Sequence, residues 1–379
     1  MEHKILSYID EHESQFLSLW RDIVRIESPS NCKTGVDRVG EVLANFCRDQ
    51  LGYHIRYQYD DQYGNCLAAC SCPFEEFKNG IVISSHMDTV HAIGSFDPIL
   101  AEDNEYLYGP GAGDCKGGIV MALLTAAALK SCGYDRRPIK LIFAADEESG
   151  GPTCKTFYPT ELAGADYMFN AESGIRGKLV TGRKSSLIAV FNITGQAAHI
   201  GYLSGAPKSA IREAALKLLA LEDASDYDML TFCGGVIHGG TVATSVPNNC
   251  QLQVNVRIKD DSVIDKAISI LEQTSSTTFT DGTECTLEIR GNRTPMSERS
   301  ANIDLCEKFS KVSQKLGFGS FDKTFTGGAS DASYASAMHI PVVCASGPIV
   351  DFQHTRNERV LKASMAERAK IHAYLITEL

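Results

Sequence analysis

The chain has little of what marks two common functional classes. Its 36 basic residues fall short of its 47 acidic residues, and the net charge of −11 argues against a large electrostatic surface for nucleic acid. The longest mainly apolar run, residues 119–129, is about half of the ~20 residues that a transmembrane helix needs. We therefore expect no nucleic-acid partner and no membrane partner.

The marks of a secreted or nucleotide-binding protein are also missing. The amino-terminal sequence has no continuous apolar stretch followed by a small-residue cleavage site, so no secretion signal is predicted. The 13 cysteines are odd in number and scattered, which is typical of a reducing compartment. Phosphate-binding G-x4-G-K-[ST] and G-x-G-x-x-G motifs do not occur. These observations predict a cytoplasmic protein.

What is present indicates a folded chain of more than one domain. Its 379 residues are 44% hydrophobic and 22% charged, which is enough to bury a sizeable core. Up to about residue 183, short buried strands at 80–84, 138–144 and 167–170 alternate with helical segments. This alternation predicts an α/β domain with a mostly parallel sheet flanked by helices.

The pattern changes near residue 184. Strands are predicted at 187–194, 235–242, 250–258 and 285–290, and helices at 207–221 and 263–274. The order βαββαβ is that of a ferredoxin-like α+β insert. The α/β character returns after residue 293, with helices predicted at about 301–316 and at 362–379 and a strand at 341–345. The predicted organisation is a catalytic domain in two parts, residues 1–183 and 294–379, with an inserted domain at residues 184–293.

Polar side chains with metal-binding chemistry follow the buried strands of the first region. They are His86 with Asp88, the pair Glu147 and Glu148, Glu172, Asp114 in a glycine-rich turn, and His354 after the last strand. Ligands of parallel sheets bind at the carboxyl ends of the strands. Imidazole nitrogens and carboxylate oxygens suit Zn²⁺ or Mn²⁺, and five ligands with one bridging would hold two metals ~3.5–4 Å apart. A solvated polar edge explains the same residues without a metal, and the pattern alone leaves both readings open.

Two further segments carry alternatives. The stretch 328–332 resembles a nucleophile elbow around Ser330, but its last position is Ala, and Ser330 also suits the amino-terminal cap of a helix. Gly327 and Gly328 would present backbone N–H groups to an anion. His199 lies between small residues of the insert, and its pattern alone favours a structural role.

Taken together, the motifs resemble those of a known enzyme family. They are residues 85–90 (SHMDTV), 109–118 (GPGAGDCKGG), 146–150 (DEESG), 198–201 (AHIG), 327–332 (GGASDA) and 354–358 (HTRNE). The chain resembles, over almost its whole length, the dinuclear zinc peptidases that include glutamate carboxypeptidase, aminoacylase, acetylornithine deacetylase and succinyl-diaminopimelate desuccinylase. The resemblance implies a zinc-peptidase catalytic domain with an inserted lid and dimerisation domain.

The resemblance also implies a role for each matched residue. Asp114 would bridge two Zn²⁺ ions, with Mn²⁺ or Co²⁺ as alternatives; His86 and Glu172 would complete one site, and Glu148 and His354 the other. Asp88 would orient His86, and Glu147 would be the general base. The peptide bond between Asp114 and Cys115 would be cis. His199 would reach the oxyanion from the other subunit of a homodimer formed through the lid domain. Asn248, Arg257 and Arg293 would lie near the substrate, where an arginine fork suits a carboxylate.

The substrate implied by the resemblance is a small molecule with a free carboxylate, either an N-acyl amino acid or a short peptide. Glu at position 172 resembles the carboxypeptidase and deacylase branches, and the stretch 327–334 resembles the glutamate carboxypeptidase version. Residues 351–353, Asp-Phe-Gln, depart from that version and leave the side-chain preference open. The alternative is an N-deacylase of amino-acid metabolism that acts on acetylornithine-like or succinyl-diaminopimelate-like substrates.

Overall fold

The computed structural model describes residues 2–379. The chain forms two compact units. The first unit comprises the described residues up to Thr181, together with Glu298–Phe325 and Ser330–Leu379, and the second comprises Gly182–Ser297 and Thr326–Ala329. The predicted insert, residues 184–293, lies within the second unit, and its bounds as a domain stay a prediction.

Helices and strands alternate along the described chain. The helices are α1 (Glu2–Val24), α2 (Lys33–Asp49), α3 (Gly118–Ser131), α4 (Cys154–Leu162), α5 (Ala210–Asp223), α6 (Ile264–Ser276), α7 (Ser300–Lys315), α8 (Ala332–Ala337) and α9 (Ala363–Glu378). The strands are β1 (His54–Gln58), β2 (Cys66–Cys70), β3 (Gly80–His86), β4 (Ala101–Glu102), β5 (Tyr106–Tyr108), β6 (Ile139–Ala144), β7 (Ala165–Asn170), β8 (Lys178–Arg183), β9 (Ser186–Thr194), β10 (Leu230–Gly239), β11 (Asn249–Ile258), β12 (Glu284–Arg293), β13 (Asp322–Thr326), β14 (Val342–Val343), β15 (Val350–Asp351) and β16 (Arg359–Leu361).

The main sheet of the first unit has, in the part of the chain that the structure describes, six strands in the order β1-β2-β6-β3-β7-β14. Strand β3 is parallel to β6 and β7, and β14 is parallel to β7, whereas β1 and β2 form an antiparallel edge. Every residue of β3 and β6 is buried, as expected for a sheet covered on both faces. The carboxyl ends of β3, β6 and β7 therefore lie side by side.

Strand β14 is shorter than the predicted 341–345. It ends at Val343, and Ala345 has a φ of +57°, which is outside the extended region. The backbone therefore leaves the sheet before the predicted end of the strand.

Helix α3 lies at the centre of the first unit. All its residues from Gly118 to Leu129 are buried, and it packs against α1 and α9. Together with the turn before it, the segment Ala112–Ser131 is long and apolar enough, by length and composition, to cross a membrane. The segment thus extends beyond the predicted apolar run 119–129, and its residues from Ala112 to Leu129 are buried inside the protein. Packing in the core accounts for its apolar character.

A second sheet of the first unit, with the order β15-β16-β5-β4, carries the loop that contains His354. Residues 352–358 join β15 to β16, and His354 has a φ of +63° within this loop. Between β5 and α3 the chain forms an irregular helical turn, Ala112–Gly117, in which Asp114 and Cys115 leave helical geometry. The peptide bond between Asp114 and Cys115 is cis, as predicted.

The second unit has the predicted order of elements, β9-α5-β10-β11-α6-β12. Its antiparallel sheet has the order β10-β11-β9-β12, and apolar residues of these strands form a core with those of α5 and α6. The sheet order is that of a ferredoxin-like domain.

Several predicted bounds in the second unit are wrong, among them the starts of α5 and β10. Helix α5 begins at Ala210 rather than at Pro207, because the Ser209 hydroxyl accepts a hydrogen bond from Arg212 N–H at 3.2 Å and caps the helix there. Strand β10 begins at Leu230, five residues before the predicted Gly235, and a register shift between Gly234 and Val236 interrupts its alternation.

Candidate active site

Five side chains with metal-binding chemistry converge at the carboxyl end of the main sheet. They are His86 at the end of β3, Glu148 after β6, Glu172 after β7, Asp114 in the irregular turn and His354 in the β15–β16 loop. Each oxygen of Asp114 faces one imidazole: His86 Nε2 lies 3.2 Å from Oδ1, and His354 Nε2 lies 3.1 Å from Oδ2. Asp114 is therefore placed between two separate nitrogen donors.

A further carboxylate accompanies each imidazole. Glu172 Oε1 lies 3.9 Å from His86 Nε2, and Glu148 Oε1 lies 3.3 Å from His354 Nε2. The ligand atoms of His86, Asp114 and Glu172 form one group within 4.8 Å of each other, and those of Asp114, Glu148 and His354 form another. These are the two groupings that the family resemblance implies, with Asp114 common to both. Their role as ligands stays a prediction.

The electrostatics of the cluster favour positive charge at the imidazoles. Burial opposes a charged His86, but the carboxylate charge of Glu172 and the hydrogen bonds to Asp114 and Asp88 raise its pKa well above the usual range. Hydrogen bonds to Asp114 and Glu148 raise the pKa of His354 to about 11. The negative charge of the carboxylates therefore favours a cation between them and the imidazole nitrogens.

The carboxylates respond in different directions. Burial tends to raise the pKa of Asp114, but the hydrogen bonds with His354 and His86 outweigh it and hold the pKa below its usual range. Burial raises the pKa of Glu148 to about 7. Two imidazoles and three carboxylates in two groups form a hard nitrogen-and-oxygen donor set, and this set fits two divalent cations such as Zn²⁺ or Mn²⁺.

Asp88 organises the site through more contacts than the sequence indicated. His86 Nδ1–H donates to the Asp88 carbonyl at 3.0 Å, and the Asp88 carboxylate lies 3.3 Å from the same nitrogen. Its Oδ1 also accepts the backbone N–H of Glu147, and its Oδ2 accepts the N–H of Glu148, both at 3.1 Å. Ser30 donates to Oδ2 at 2.6 Å. One buried carboxylate therefore orients His86 and both glutamates, and no motif in the sequence indicated Ser30.

Glu147 lies beside the cluster but in neither of the two groups around Asp114. It opens a short helical turn, Glu147–Ser149, after β6, and its carboxylate lies near His86 and Glu148. It is largely buried, at 7% exposure. A carboxylate beside these two groups is in a position that would suit a general base, and this role of Glu147 stays a prediction.

Cys115 is a neighbour of the cluster that the sequence did not predict. Its Sγ lies within 4.8 Å of the ligand atoms of His86, Asp114 and Glu172. The thiol donates to the Ala171 carbonyl at 3.1 Å, and burial raises its pKa to about 12. A neutral, hydrogen-bonded thiol is a packing group rather than a ligand.

Ser330 is buried, at 1% exposure, and its hydroxyl accepts a hydrogen bond from Ala332 N–H at 3.3 Å at the start of α8. The cap position of α8 is Asp331 rather than Ser330, so the predicted cap is wrong by one residue, although the Ser330 hydroxyl still binds the first N–H of the helix. A buried serine whose hydroxyl serves the helix end does not present a nucleophile to a substrate.

The remaining predicted residues belong to the second unit. His199 is exposed in a loop, and its Nδ1 accepts a hydrogen bond from Gly201 N–H at 3.1 Å. An acceptor at Nδ1 places the proton of a neutral ring on Nε2, which is then a donor. This tautomer suits the predicted donation to an oxyanion.

The predicted substrate-binding residues are held within the same unit in different ways. Arg257 is half-buried, its Nε donating to Asn255 at 2.8 Å and its guanidinium to the Ser185 carbonyl at 3.2 Å. Arg293 is buried at the end of β12, and Asn248 is exposed before β11. The Gly328 carbonyl accepts from Arg183 at 3.0 Å. Their contact with a substrate stays a prediction.

Comparison with known proteins identifies the family. The profile of the peptidase family M20/M25/M40 matches residues 82–378, a range that contains every residue of the cluster. The chain belongs to this family. This M20 peptidase is 27% identical over 311 residues to carboxypeptidase G2 of Pseudomonas sp. (strain RS-16), covering 79% of this chain and 74% of that protein. It is 29% identical over 272 residues to a probable carboxypeptidase of Aspergillus terreus, covering 65% of this chain and 61% of that protein.

Solved structures share the fold. The aminopeptidase PepT of Bacillus cereus superposes with a TM-score of 0.76 at 21% identity over 97% of this chain and 98% of that chain. An M20 metallo-carboxypeptidase of Sulfolobus solfataricus does so with a TM-score of 0.72 at 15% identity, over 95% and 98% of the two chains. The predicted family and the predicted fold, an α/β catalytic domain with an inserted α+β domain, are confirmed. The protein is a metallopeptidase-family hydrolase.

Proposed function

We propose that this M20 peptidase is a two-metal hydrolase that cleaves an amide bond next to a free carboxylate, as a carboxypeptidase of the glutamate type. The observation that carries the proposal is Asp114, which has His86 at 3.2 Å on one oxygen and His354 at 3.1 Å on the other. Each imidazole has its own accompanying carboxylate, Glu172 or Glu148. Such a divided donor set supports two cations with Asp114 between them.

In the proposed mechanism, Glu147 takes a proton from the attacking water and later delivers it to the nitrogen of the leaving amine. The Asp88 carboxylate holds Glu147 in place by accepting the backbone N–H of Glu147 at 3.1 Å. Two bound divalent cations would supply hydroxide at neutral pH and polarise the scissile carbonyl. The residues that would hold them are His86, Asp114 and Glu172 on one side, and Asp114, Glu148 and His354 on the other.

The second unit would supply the substrate contacts. The Nε2–H of His199 would donate to the oxyanion, a stabilisation that works best from a preorganised donor. Arg257, Arg293 and Asn248 would bind the free carboxylate of the substrate, and backbone N–H groups at Gly328 would assist. We include in the proposal that His199 comes from the second subunit of a homodimer. The proposed location is the cytoplasm, which the absence of a disulfide among the 13 cysteines, all within the described residues, supports.

A cavity beside Glu148 supports the proposal that the acyl group of the substrate is neutral. Its volume is about 530 Å³, and its lining includes Ser30, Asn31, Gln62 and Tyr63. These amide, hydroxyl and phenol groups suit a neutral or aromatic acyl group. Lys33, beside Tyr63, has its ammonium bound to Asp37 and Asn65 and to the Tyr63 carbonyl. The cavity therefore favours a neutral acyl group over an anionic succinyl group.

The test is amino-acid release measured by mass spectrometry. The purified protein with added Zn²⁺ would meet N-benzoyl-glutamate, dipeptides ending in Glu or Asp, acetylornithine and succinyl-diaminopimelate. We expect release mainly of C-terminal Glu or Asp. Release of ornithine or diaminopimelate instead would overturn the carboxypeptidase assignment and move the protein to the N-deacylases.

The variant Glu147→Gln tests the assigned base. Because a positioned base contributes about 10²–10⁴-fold to such reactions, turnover should fall by that factor while the Zn²⁺ content, measured by elemental analysis, stays unchanged. An unchanged rate would remove Glu147 from the mechanism. Activity that survives complete chelation of the metal would contradict the two-metal mechanism as a whole.

A further inference from the structure

Glu358 makes contacts that the catalytic scheme does not use. It lies directly before β16, and its side chain is completely buried. Its Oε1 accepts the backbone N–H groups of Gly113 at 2.9 Å and Asp114 at 3.1 Å. Its Oε2 lies 2.7 Å from Nε2 of His91, which is also buried. One carboxylate thus binds two consecutive N–H groups of the turn that carries the central Asp114.

Those two N–H groups lie where the backbone is irregular. Asp114 has φ −109° and ψ 85°, outside helical geometry, within the turn Ala112–Gly117. Buried backbone N–H groups need an acceptor, and Glu358 supplies it for both residues. The conformation of the Asp114 backbone, and hence the direction of its carboxylate, depends on this contact.

Glu358 also belongs to the loop that carries His354. Its own N–H donates to the Thr355 carbonyl at 3.1 Å within residues 352–358. The same loop therefore presents His354 to Asp114 Oδ2 at 3.1 Å and holds the Asp114 backbone through Glu358. The short segment of residues 352–358 thus sets the distance between the His354 side chain and the Asp114 backbone.

His91 completes the arrangement. His91 Nε2–H donates to Glu358 Oε2 at 2.7 Å, which fixes Nε2 as the protonated nitrogen of a neutral His91 ring. The His91 ring packs edge-on against Phe96 with their centroids 4.9 Å apart, which holds the imidazole in position. His91 thus fixes the second oxygen of Glu358.

We propose that Glu358, oriented by His91, is a positioning residue that sets the geometry of the two-metal site by holding the Asp114 backbone relative to His354. The inference rests on the proposed function, since it assigns Asp114 and His354 to metal binding. Neither Glu358 nor His91 touches the substrate in this scheme. Side chains that orient metal ligands without binding the metal themselves typically contribute about 10- to 100-fold to metal affinity or activity.

The test compares Zn²⁺ binding, thermal stability and kinetics of four variants with the wild-type protein. Glu358→Ala removes the acceptors. Glu358→Gln keeps an oxygen for the two N–H groups and turns its NH₂ toward His91. His91→Phe keeps the ring against Phe96 but removes Nε2. Glu161→Gln is the matched control, because Glu161 is also buried but pairs with Lys140, at the opposite end of β6 from Glu147.

We expect Glu358→Ala to lose about 10- to 100-fold in affinity for at least one Zn²⁺ in a titration of the apo protein. Its kcat should fall with little change in KM, because substrate contacts are untouched. Glu358→Gln should recover most of the affinity and rate. Glu161→Gln should lower the melting temperature but leave Zn²⁺ affinity unchanged. If Glu358→Ala fails to fold, His91→Phe serves for the same comparison and should lose affinity in the same direction.

Two results would overturn the positioning role: wild-type Zn²⁺ affinity in the folded Glu358→Ala variant, or an equal loss of affinity in Glu161→Gln. A failure of the proposed function is distinguishable from either, because it would appear in the wild-type protein itself as binding of fewer than two Zn²⁺ ions.

Discussion

At the scale of single residues, the backbone around Asp114 is held by side chains from distant parts of the chain. Trp20 in α1 donates its indole N–H to the Ala112 carbonyl at 2.9 Å. Ser85 at the end of β3 donates to the Cys115 carbonyl at 2.9 Å. The ammonium of Lys116, which is buried, donates to the Ile26 carbonyl at 2.7 Å. An irregular turn keeps one conformation because its polar groups are satisfied from outside the turn.

His372 in α9 is a buried imidazole far from the proposed chemistry. Its Nδ1–H donates to the Arg368 carbonyl at 2.8 Å, and its ring packs against Phe169 and Phe309. Burial lowers its pKa to about 4. The folded protein therefore keeps this ring neutral at a pH at which the unfolded chain already binds the proton.

The His372 ring predicts a loss of stability in acid. Because its pKa is lower in the folded state, its contribution is complete above about pH 6.5, the pKa in the unfolded chain, and is lost as the pH falls toward 4. Over that range the loss should reach about 3 kcal/mol of unfolding free energy. Urea unfolding of the metal-free protein between pH 4 and pH 7 measures it.

The variant His372→Phe should flatten that part of the pH profile, since a phenyl ring fills the site and takes up no proton. The variant His54→Asn, at an exposed position in β1, is the control and should keep the wild-type slope. The same slope in His372→Phe as in the wild-type protein would show that other groups cause the acid sensitivity.

At the scale of elements, the site depends on close packing between α3 and the strand end that carries Glu172. A Cβ added to Gly118, the first residue of α3, would lie 2.0 Å from the carbonyl oxygen of Ala171. Ala171 directly precedes Glu172 and donates its N–H to Ser84 at 2.8 Å. Glycine is required here by close approach, as its φ of −62° is ordinary.

Gly118→Ala should therefore destabilise the fold and displace Glu172. Overpacking against a rigid backbone costs about 1–3 kcal/mol or more in unfolding free energy, measured by urea denaturation. Zn²⁺ affinity should fall as well, because the shift of Ala171 carries Glu172 with it.

Gly40→Ala in α2 is the matched control. Its added Cβ would meet Met87 Sδ at 3.5 Å, an ordinary contact, and alanine favours a helix by up to about 1 kcal/mol over glycine. This variant should be as stable as the wild-type protein or more so. Equal stability of the two variants would contradict the packing argument.

At the scale of the whole molecule, the second unit has an edge suited to association. Strand β10 stands at the edge of its sheet in the described chain, and Val236 and Ile237 are about half exposed on it. An edge strand with exposed apolar residues is a template for pairing with another chain. This edge supports, as a prediction, a homodimer formed through the insert.

The dimer with a shared His199 predicts complementation. Glu147→Gln and His199→Ala should each be nearly inactive as pure proteins. In a mixed dimer, the subunit with intact Glu147 would receive His199 from its partner. Random pairing of equal amounts then restores about a quarter of the wild-type activity, since half of the dimers have one of their two sites intact.

Activity measured after co-expression tests this expectation, and analytical ultracentrifugation gives the oligomeric state. A wild-type protein that sediments as a monomer and is fully active would contradict the shared site. Dimers that show no recovery would place His199 in the site of its own subunit or outside the mechanism.

The sequence alone was informative where local pattern determines structure. The pattern of apolar residues reflects which side chains leave water. It therefore predicted the buried strand at residues 80–84, and it placed the change of domain near residue 184 to within a few residues. The motifs around His86, Asp114 and His354 further carried a family resemblance that is confirmed. Ends of elements were less accurate, as at Pro207 and Gly235, because a cap or a bulge depends on one hydrogen bond.

The tertiary structure decided which of these residues meet. Glu358 and Gly113 are 245 residues apart in sequence, and Asp88 and Glu147 are 59 apart, yet each pair is joined by a hydrogen bond. Such contacts leave no periodic signal, because any buried acceptor satisfies a backbone N–H and only the folded chain determines which one is within reach. Local motifs were thus enough to predict the chemistry of the site. Its geometry arises from long-range packing, which brings three strand ends, an irregular turn and one loop together.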